Sequence, residues 1–168
     1  MSIIKYYSKG DRLYITDIFD REDLRVLINQ VNVGVVVSDP KQQDNPMIYV
    51  NKTFLKMTGY SLEEVIGKNC RFLQGKDTSQ STVSAIRVAL KEKTQTRVTI
   101  KNYRKDGSAF WNRLNITPIF DEKGDINYFM GVQEDITDFY NENLAKTEHI
   151  RELELKVKRF ERELNKNL

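Results

Sequence analysis

Residues 96–136 alternate in a way that only a β-sheet can use. Three runs, 96–103, 109–117 and 126–136, are rich in β-branched and aromatic residues, and two polar turns separate them, Lys105-Asp106-Gly107 and Glu122-Lys123-Gly124-Asp125. Strands joined by turns this short pair antiparallel, so the spacing predicts a meander. Alternate side chains of a strand share a face. One face then carries Val98, Ile100 and Asn102 on the first strand, Asn112, Leu114 and Ile116 on the second, and Phe129, Gly131 and Gln133 on the third. Each set is apolar apart from a single carboxamide. A buried amide left unbonded costs about 1–3 kcal/mol, so one such group is normally a structural anchor. Three on adjacent strands predict a flat, heteroatom-rich ligand, read by hydrogen-bond donors and acceptors and walled by aliphatic groups. Gly131 leaves room for a ring to approach. The opposite face holds Tyr103, Trp111, Tyr128, Met130, Val132 and Ile136, too apolar for a solvated sheet. Flanking helices, a second subunit or both are expected to cover it.

The second constraint is the segment Gly67-Lys68-Asn69-Cys70-Arg71-Phe72-Leu73-Gln74-Gly75, which holds the chain's one cysteine. A lone thiol cannot form an internal disulfide, so it is either inert core filling or a reactive centre. Inert cysteines sit among aliphatic residues. Cys70 instead lies between Asn69 and Arg71, with Gln74 four residues on. If the segment forms one helical turn, Cys70 and Gln74 share a face, and the thiol is presented beside polar groups that need partners.

The remaining stretches are plainer. Residues 1–19 have no clear period. Residues 20–31 read as an amphipathic helix, with Asp20 as cap, Asp23 in the first turn, and Leu24, Leu27, Ile28 and Val31 on one stripe. That stripe packs on its own domain or makes a dimer contact. Val33–Ser38 and Met47–Val50 read as a hairpin around a polar loop that Pro46 keeps from being helical. Residues 51–66 are two short helical pieces parted by Gly59-Tyr60, the second opened by a capping box of Ser61 and Glu64. Residues 78–93 are the longest helix of the domain. Val83, Ile86 and Leu90 form its stripe, with Arg87 beside it, snorkelling to water or holding an anion. From Asp138 the chain is helical in composition, without Gly or Pro. Ile150, Leu153, Val157, Phe160 and Leu164 repeat at 3,4 spacing, thinned by Asn143 and Lys146, as a coiled-coil seam or as the apolar stripe of a single helix lying on the domain.

Composition bounds the function. A chain of 168 residues, 39% hydrophobic, holds one domain and an appendage. A net charge of +3 is too small and dispersed for a nucleic-acid partner. No apolar run approaches the ~20 residues of a membrane span, and the tail carries as many basic as acidic residues, unlike a membrane-surface helix. One cysteine and no secretory leader point to the cytoplasm.

The string G-K-N-C-R-F-L-Q-G resembles the signature of the LOV family, the flavin-binding blue-light sensors of the PAS superfamily. The similarity runs over roughly 33–136 and takes in Asn45-Pro46, Arg87, Asn102, Phe110-Trp111-Asn112 and Gln133. It implies an α+β PAS fold, a five-stranded antiparallel sheet with short helices on one face, plus an N-terminal helix and a long C-terminal helix. The implied division is an arm and cap helix at 1–32, a flavin-binding core at 33–137 and a helical, coiled-coil-like linker at 138–168. The implied cofactor is flavin mononucleotide, with FAD or riboflavin less favoured. By position match, Asn102, Asn112, Gln133 and Gln74 would bond the polar ring edge, and Arg71 and Arg87 the phosphate. Val36, Ser38, Asn45, Phe54, Asn69, Leu73, Val83, Ile86, Leu90, Ile100, Leu114, Ile116, Phe129 and Gly131 would complete the pocket. Cys70 would form a reversible photoadduct at flavin C4a. The flavin N5 turns from acceptor to donor on that step, so Gln133 would rotate its amide and pass the change to the tail. A homodimer through the N-terminal helix, the sheet face and the C-terminal helix is expected.

Other function classes fit less well. Gly67-Lys68 is not a phosphate-binding loop, since Leu62 and Asn69 stand where Gly and Ser or Thr are needed. One His and one Cys far apart give no metal set. An enzyme is therefore not expected. The alternatives are a flavin-binding redox-sensing PAS module, or the sensor piece of a larger histidine kinase or other signalling enzyme. His149-Ile150-Arg151-Glu152-Leu153 has only a faint likeness to a phosphoacceptor segment.

Overall fold

The structure, a computed structural model, describes residues 21–166. The expected cap Asp20 and residues 1–19 lie outside the described residues, as do the side chains of Phe160 and Leu164 in the proposed seam.

Five strands form one antiparallel sheet: β1 (Gly34–Ser38), β2 (Met47–Val50), β3 (Thr96–Tyr103), β4 (Ala109–Phe120) and β5 (Ile126–Asp135), in the order β2-β1-β5-β4-β3. The hairpin and the meander expected from the pattern are both present, and β1 joins them by pairing with β5. The register aligns the predicted face. Val98 stands opposite Leu114, Ile100 opposite Asn112, Leu114 opposite Gln133 and Ile116 opposite Gly131. From β1, Val36 and Ser38 come opposite Gly131 and Phe129 on the same face.

Helices fill the crossover from β2 to β3: α2 (Lys52–Thr58), α3 (Leu62–Val65), a 3₁₀ turn (Cys70–Leu73) and α4 (Gln80–Glu92). The stop signals act where expected. Gly59 ends α2 in a left-handed conformation at φ 77°, which glycine adopts without steric cost. The Glu64 carboxylate accepts the Ser61 N–H at 2.9 Å, closing the capping box. Val36, Met47, Val50, Phe54, Val65 and Leu73 make one buried cluster between β1, β2 and these helices, and Cys70 packs against it.

Asn51 joins three elements. It is fully buried at the start of α2. Its Oδ1 accepts the N–H groups of Val35 (2.9 Å) and Phe54 (3.0 Å), and its Nδ2 donates to the carbonyls of Val33 (2.9 Å) and Ile28 (3.0 Å). One side chain thus caps α2, fixes the start of β1 and holds the end of α1 (Arg21–Gln30). Asn29 and Val31 also bond to α2 residues, so α1 docks on its own domain. That docking leaves part of its stripe in water: Leu24 and Ile28 are half-buried, while Leu27 and Val31 are exposed, as is Val26 beside the stripe.

The outer sheet face departs from expectation in two places. The Tyr103 hydroxyl accepts the Asp77 N–H at 3.1 Å, turning that residue to the sheet edge. Strand β5 stops at Asp135, and Ile136 is buried beyond it, its N–H donating to the Trp111 carbonyl at 2.8 Å. Within the chain, the main cover is the first turn of α5 (Thr137–Lys166), whose Tyr140 ring stacks on Trp111 at 4.1 Å. Thr137 Oγ1 accepts the Trp111 N–H and Asp135 accepts the Thr137 N–H, so the helix start is pinned to β4. Beyond that turn α5, roughly 45 Å of helix in all, has its described side chains exposed, Ile150 at 57% and Val157 at 54%. Among the described residues no helix is long and apolar enough to cross a membrane.

Replacing Asn51 by Ala strands two N–H groups and two carbonyls at once. Chemical unfolding should show a loss of about 2–4 kcal/mol, against less than about 0.5 kcal/mol for an exposed Asn such as Asn141; an equal effect at both sites would refute the hub role.

Candidate functional site

A cavity of about 220 Å³ opens between the sheet and the helical crossover. Its floor is the predicted face: Ile100 and Asn102 from β3, Leu114 and Ile116 from β4, Phe129, Gly131 and Gln133 from β5, Val36 and Ser38 from β1. Its roof is Asn69, Cys70, Arg71 and Gln74 from the 3₁₀ turn and Val83, Ile86, Arg87 and Leu90 from α4, with Asn45 closing one end from the β1–β2 loop. A Cβ built on Gly131 would come no nearer than 3.8 Å to any atom, so the missing side chain leaves space on the cavity side.

Three predicted positions stand elsewhere, and each has a reason. Phe54 lies in the core cluster, with its Cα and Cβ against Gly34. Leu73 is one 3₁₀ turn on from Cys70 and drops into the same cluster beneath it. Asn112 is 1% exposed and does not line the open cavity, but it is bonded to Asn102 and Gln133, which do. The expected helical turn is also tighter than α. Gln74 leaves it in an extended conformation, and its side chain reaches the cavity from there.

The three amides form one chain of bonds. Asn112 Nδ2 donates to Asn102 Oδ1 at 2.9 Å and to Gln133 Oε1 at 2.8 Å. Gln133 Nε2 donates in turn to Cys70 Sγ at 3.7 Å. Two oxygens remain over. Among the described residues, Asn112 Oδ1 and Asn45 Oδ1 are buried with no hydrogen-bond partner, as is the Tyr49 hydroxyl outside the cavity. Buried acceptors are normally satisfied, so orphans beside a cavity mark where a ligand's donors would go. The Asn69 side chain is committed to structure. Its Oδ1 accepts the Arg71 N–H, and its Nδ2 donates to the carbonyls of Asp44 and Asn45. Sequence reasoning passed over Asp44, which pairs with Arg71. The signal available was an acid directly before Asn45-Pro46 in a loop too polar to be core. Arg87 is exposed at the mouth and makes no ion pair among the described residues.

Desolvation by the surrounding protein pushes the Cys70 thiol up to about 11, and the Gln133 bond only partly offsets it. Part of its surface remains accessible, on the side where it lines the cavity. At neutral pH the sulfur is therefore a neutral thiol, poised beside an amide network and not activated as a thiolate.

A PAS domain family model matches residues 32–138. A blue-light photoreceptor of Listeria monocytogenes is 46% identical over 127 residues, which cover 76% of this chain and 50% of that protein. Blue-light-activated histidine kinase 1 of Erythrobacter litoralis is 44% identical over 139 residues, 78% of this chain and 39% of that one. A light-oxygen-voltage domain structure concerned with a flavin analogue superposes with a TM-score of 0.66 at 38% identity, covering 80% of this chain and 98% of that one. The chain is a LOV domain of the PAS family. It spans half or less of the length of these two curated relatives. In this LOV domain Cys70 lies on the roof of the cavity.

The raised thiol has a measurable consequence. Maleimide labelling of the cofactor-free chain at pH 8 should run at least about tenfold slower than in urea, and should speed up with pH toward 11. Because the folded value lies above the unfolded one, near 9, Cys70 favours folding below pH 9 and loses that contribution as pH rises to 11. Equal labelling rates in the folded and urea-unfolded chain would contradict this picture.

Proposed function

We propose that this LOV domain is a blue-light photoreceptor that holds flavin mononucleotide in the cavity and captures it reversibly through Cys70. The observation that carries the reading is Cys70 Sγ on the cavity roof, bonded to Gln133, with Asn112 and Asn45 oxygens left partnerless nearby. An isoalloxazine edge presents one N–H donor among several acceptors, and a ribityl chain presents hydroxyl donors. The orphaned oxygens and the amide N–H groups fit that set, and Val36, Leu114, Ile116 and Phe129 fit the ring faces. Arg71 and Arg87 at the mouth favour a phosphorylated flavin.

The bound flavin would supply the light absorption and the electrophilic carbon. The chain's part is placement. The 3₁₀ turn, capped by Asn69, holds the thiol still, and burial keeps it protonated so that it brings its own proton. Gln133 must serve a neighbour that changes from acceptor to donor, which requires exchange of its N–H and C=O ends. It cannot rotate alone. Its Oε1 accepts from Asn112, so after rotation two N–H groups would face each other. Asn112 can answer by presenting its free Oδ1 if Asn102 turns its N–H group toward it, because Asn112 Nδ2 also donates to Asn102 Oδ1. The rearrangement then reaches β4, where the neighbouring Trp111 holds the start of α5. Bonds worth about 0.5–1.5 kcal/mol each are exchanged, enough to bias a helix that is pinned only at its first turn.

A homodimer follows from what the fold leaves uncovered. Ile150, Leu153 and Val157 repeat along one stripe of α5 in water, and the outer sheet face is half-covered. A second copy satisfies both. A chain that spans only part of its kinase relative also fits a sensor piece of a larger signalling enzyme.

Illumination of the purified, flavin-loaded chain should bleach the flavin band reversibly in the dark, and Cys70→Ala should abolish the effect; bleaching that survives the substitution would exclude the thiol. Truncation before Asp138 should leave the bleaching intact and lower the light-scattering mass toward a monomer. A full chain that stays monomeric in light and dark at high concentration would exclude the dimer.

A further inference from the structure

The mouth of the cavity holds two cations and one anion. Arg71 is bonded through Nη1 to Asp44 Oδ1. Asp44 is not a drifting surface acid. Asp44 and Asn45 both sit in left-handed backbone, at φ 69° and 48°, a region that Asn and Asp enter more readily than other side chains. The loop is held there by Asn69 Nδ2, which bonds both their carbonyls, and by the Asp39 N–H, which donates to the Pro46 carbonyl at 3.0 Å. The same loop aims the orphaned Asn45 Oδ1 inward. The geometry therefore fixes a carboxylate against the guanidinium nearest the reactive turn.

We propose that Asp44 is a specificity-determining residue, which sets how strongly this protein prefers a phosphorylated flavin over one with an uncharged side chain. This rests on the flavin reading above. A phosphate monoester carries about −1.5 to −2 charge at pH 7. It enters a mouth whose net charge is +1 because Asp44 cancels one arginine, and it must share Arg71 with that carboxylate. The isoalloxazine and ribityl parts lie inside and do not feel this competition. Asp44 thus narrows the gap between flavin mononucleotide and riboflavin and keeps Arg71 neutralised when no phosphate is present. Both partners are more than half exposed, so solvent and salt screen the effect to about 3- to 10-fold in affinity.

The test uses the full chain stripped of flavin and titrated with flavin mononucleotide and with riboflavin, read by flavin fluorescence, at low and at high salt. Asp44→Asn removes the charge while keeping a side chain suited to left-handed backbone; Asp44→Gly, which adopts that backbone freely, is the second variant. Both should bind flavin mononucleotide about 3- to 10-fold tighter, bind riboflavin within about twofold of the parent, and show a steeper loss of mononucleotide affinity with salt. A loop that had merely changed shape would move both ligands together and leave the salt dependence alone, which overturns the proposal. So does weaker mononucleotide binding, since Asp44 would then be orienting Arg71 for the phosphate. If the parent takes up flavin but the ratio does not move in either variant, Asp44 has no such role and the flavin reading stands. If the parent takes up neither flavin, both fall.

Discussion

One chain of side-chain bonds organises the interior of this protein: Asn102 to Asn112 to Gln133 to Cys70. The three amides come from three adjacent strands, and the sulfur comes from the far side of the cavity. Carboxamides in a sheet core are tolerated only if each has a partner. Here they partner one another, which aligns β3, β4 and β5 in register and leaves a surplus of acceptors at the cavity. The same bonds that stabilise the sheet therefore define what chemistry can dock against it. An amide chain can in principle run in either direction, which is the basis of the switch proposed above.

Placement around that chain depends on a second amide of the opposite character. Asn51 has every donor and acceptor used for structure, tying α1, β1 and α2 together. Its rigidity supports the cluster of Phe54, Val65 and Leu73 on which the Cys70 turn rests. The site thus combines the turn with its Asn69 cap, bonded to backbone groups, and the Asn112–Gln133 pair, bonded side chain to side chain, which the proposed switch would rearrange. A residue fully satisfied by backbone groups cannot switch without breaking the fold. One satisfied by another amide can.

The periphery follows the same division. α5 is fastened by Trp111, Thr137 and Tyr140 and by an ion pair between Arg104 and Asp135, then leaves the domain with an apolar stripe exposed. Its attachment is local, next to Asn112 along β4, while its exposed apolar stripe is the surface on which the proposed dimer rests. The mouth of the cavity has its own balance, two arginines and one acid, in which the acid is held by backbone geometry.

Much of this could be read from the chain alone, because strand parity and turn chemistry are local. The alternation on 96–136 placed Asn102, Asn112 and Gln133 on one face and identified Gly131 as open space. Ser61 with Glu64, and Gly59, marked helix boundaries through contacts a few residues apart. What local pattern could not supply was depth and partnership between distant segments. Phe54 and Leu73 are apolar whether they line a cavity or back it, and only packing put them behind the wall. Tyr103 alternates correctly but bonds Asp77 at the sheet edge. Asn51 and Asp44 look like ordinary loop polars until the fold brings Val35, Ile28 and Arg71 to them. Sequence determined which face is chemical, since side-chain direction in a strand is set by the covalent backbone; tertiary structure decided which polar groups are spent and which are left for a ligand, since a hydrogen bond needs a partner that the chain delivers only by folding.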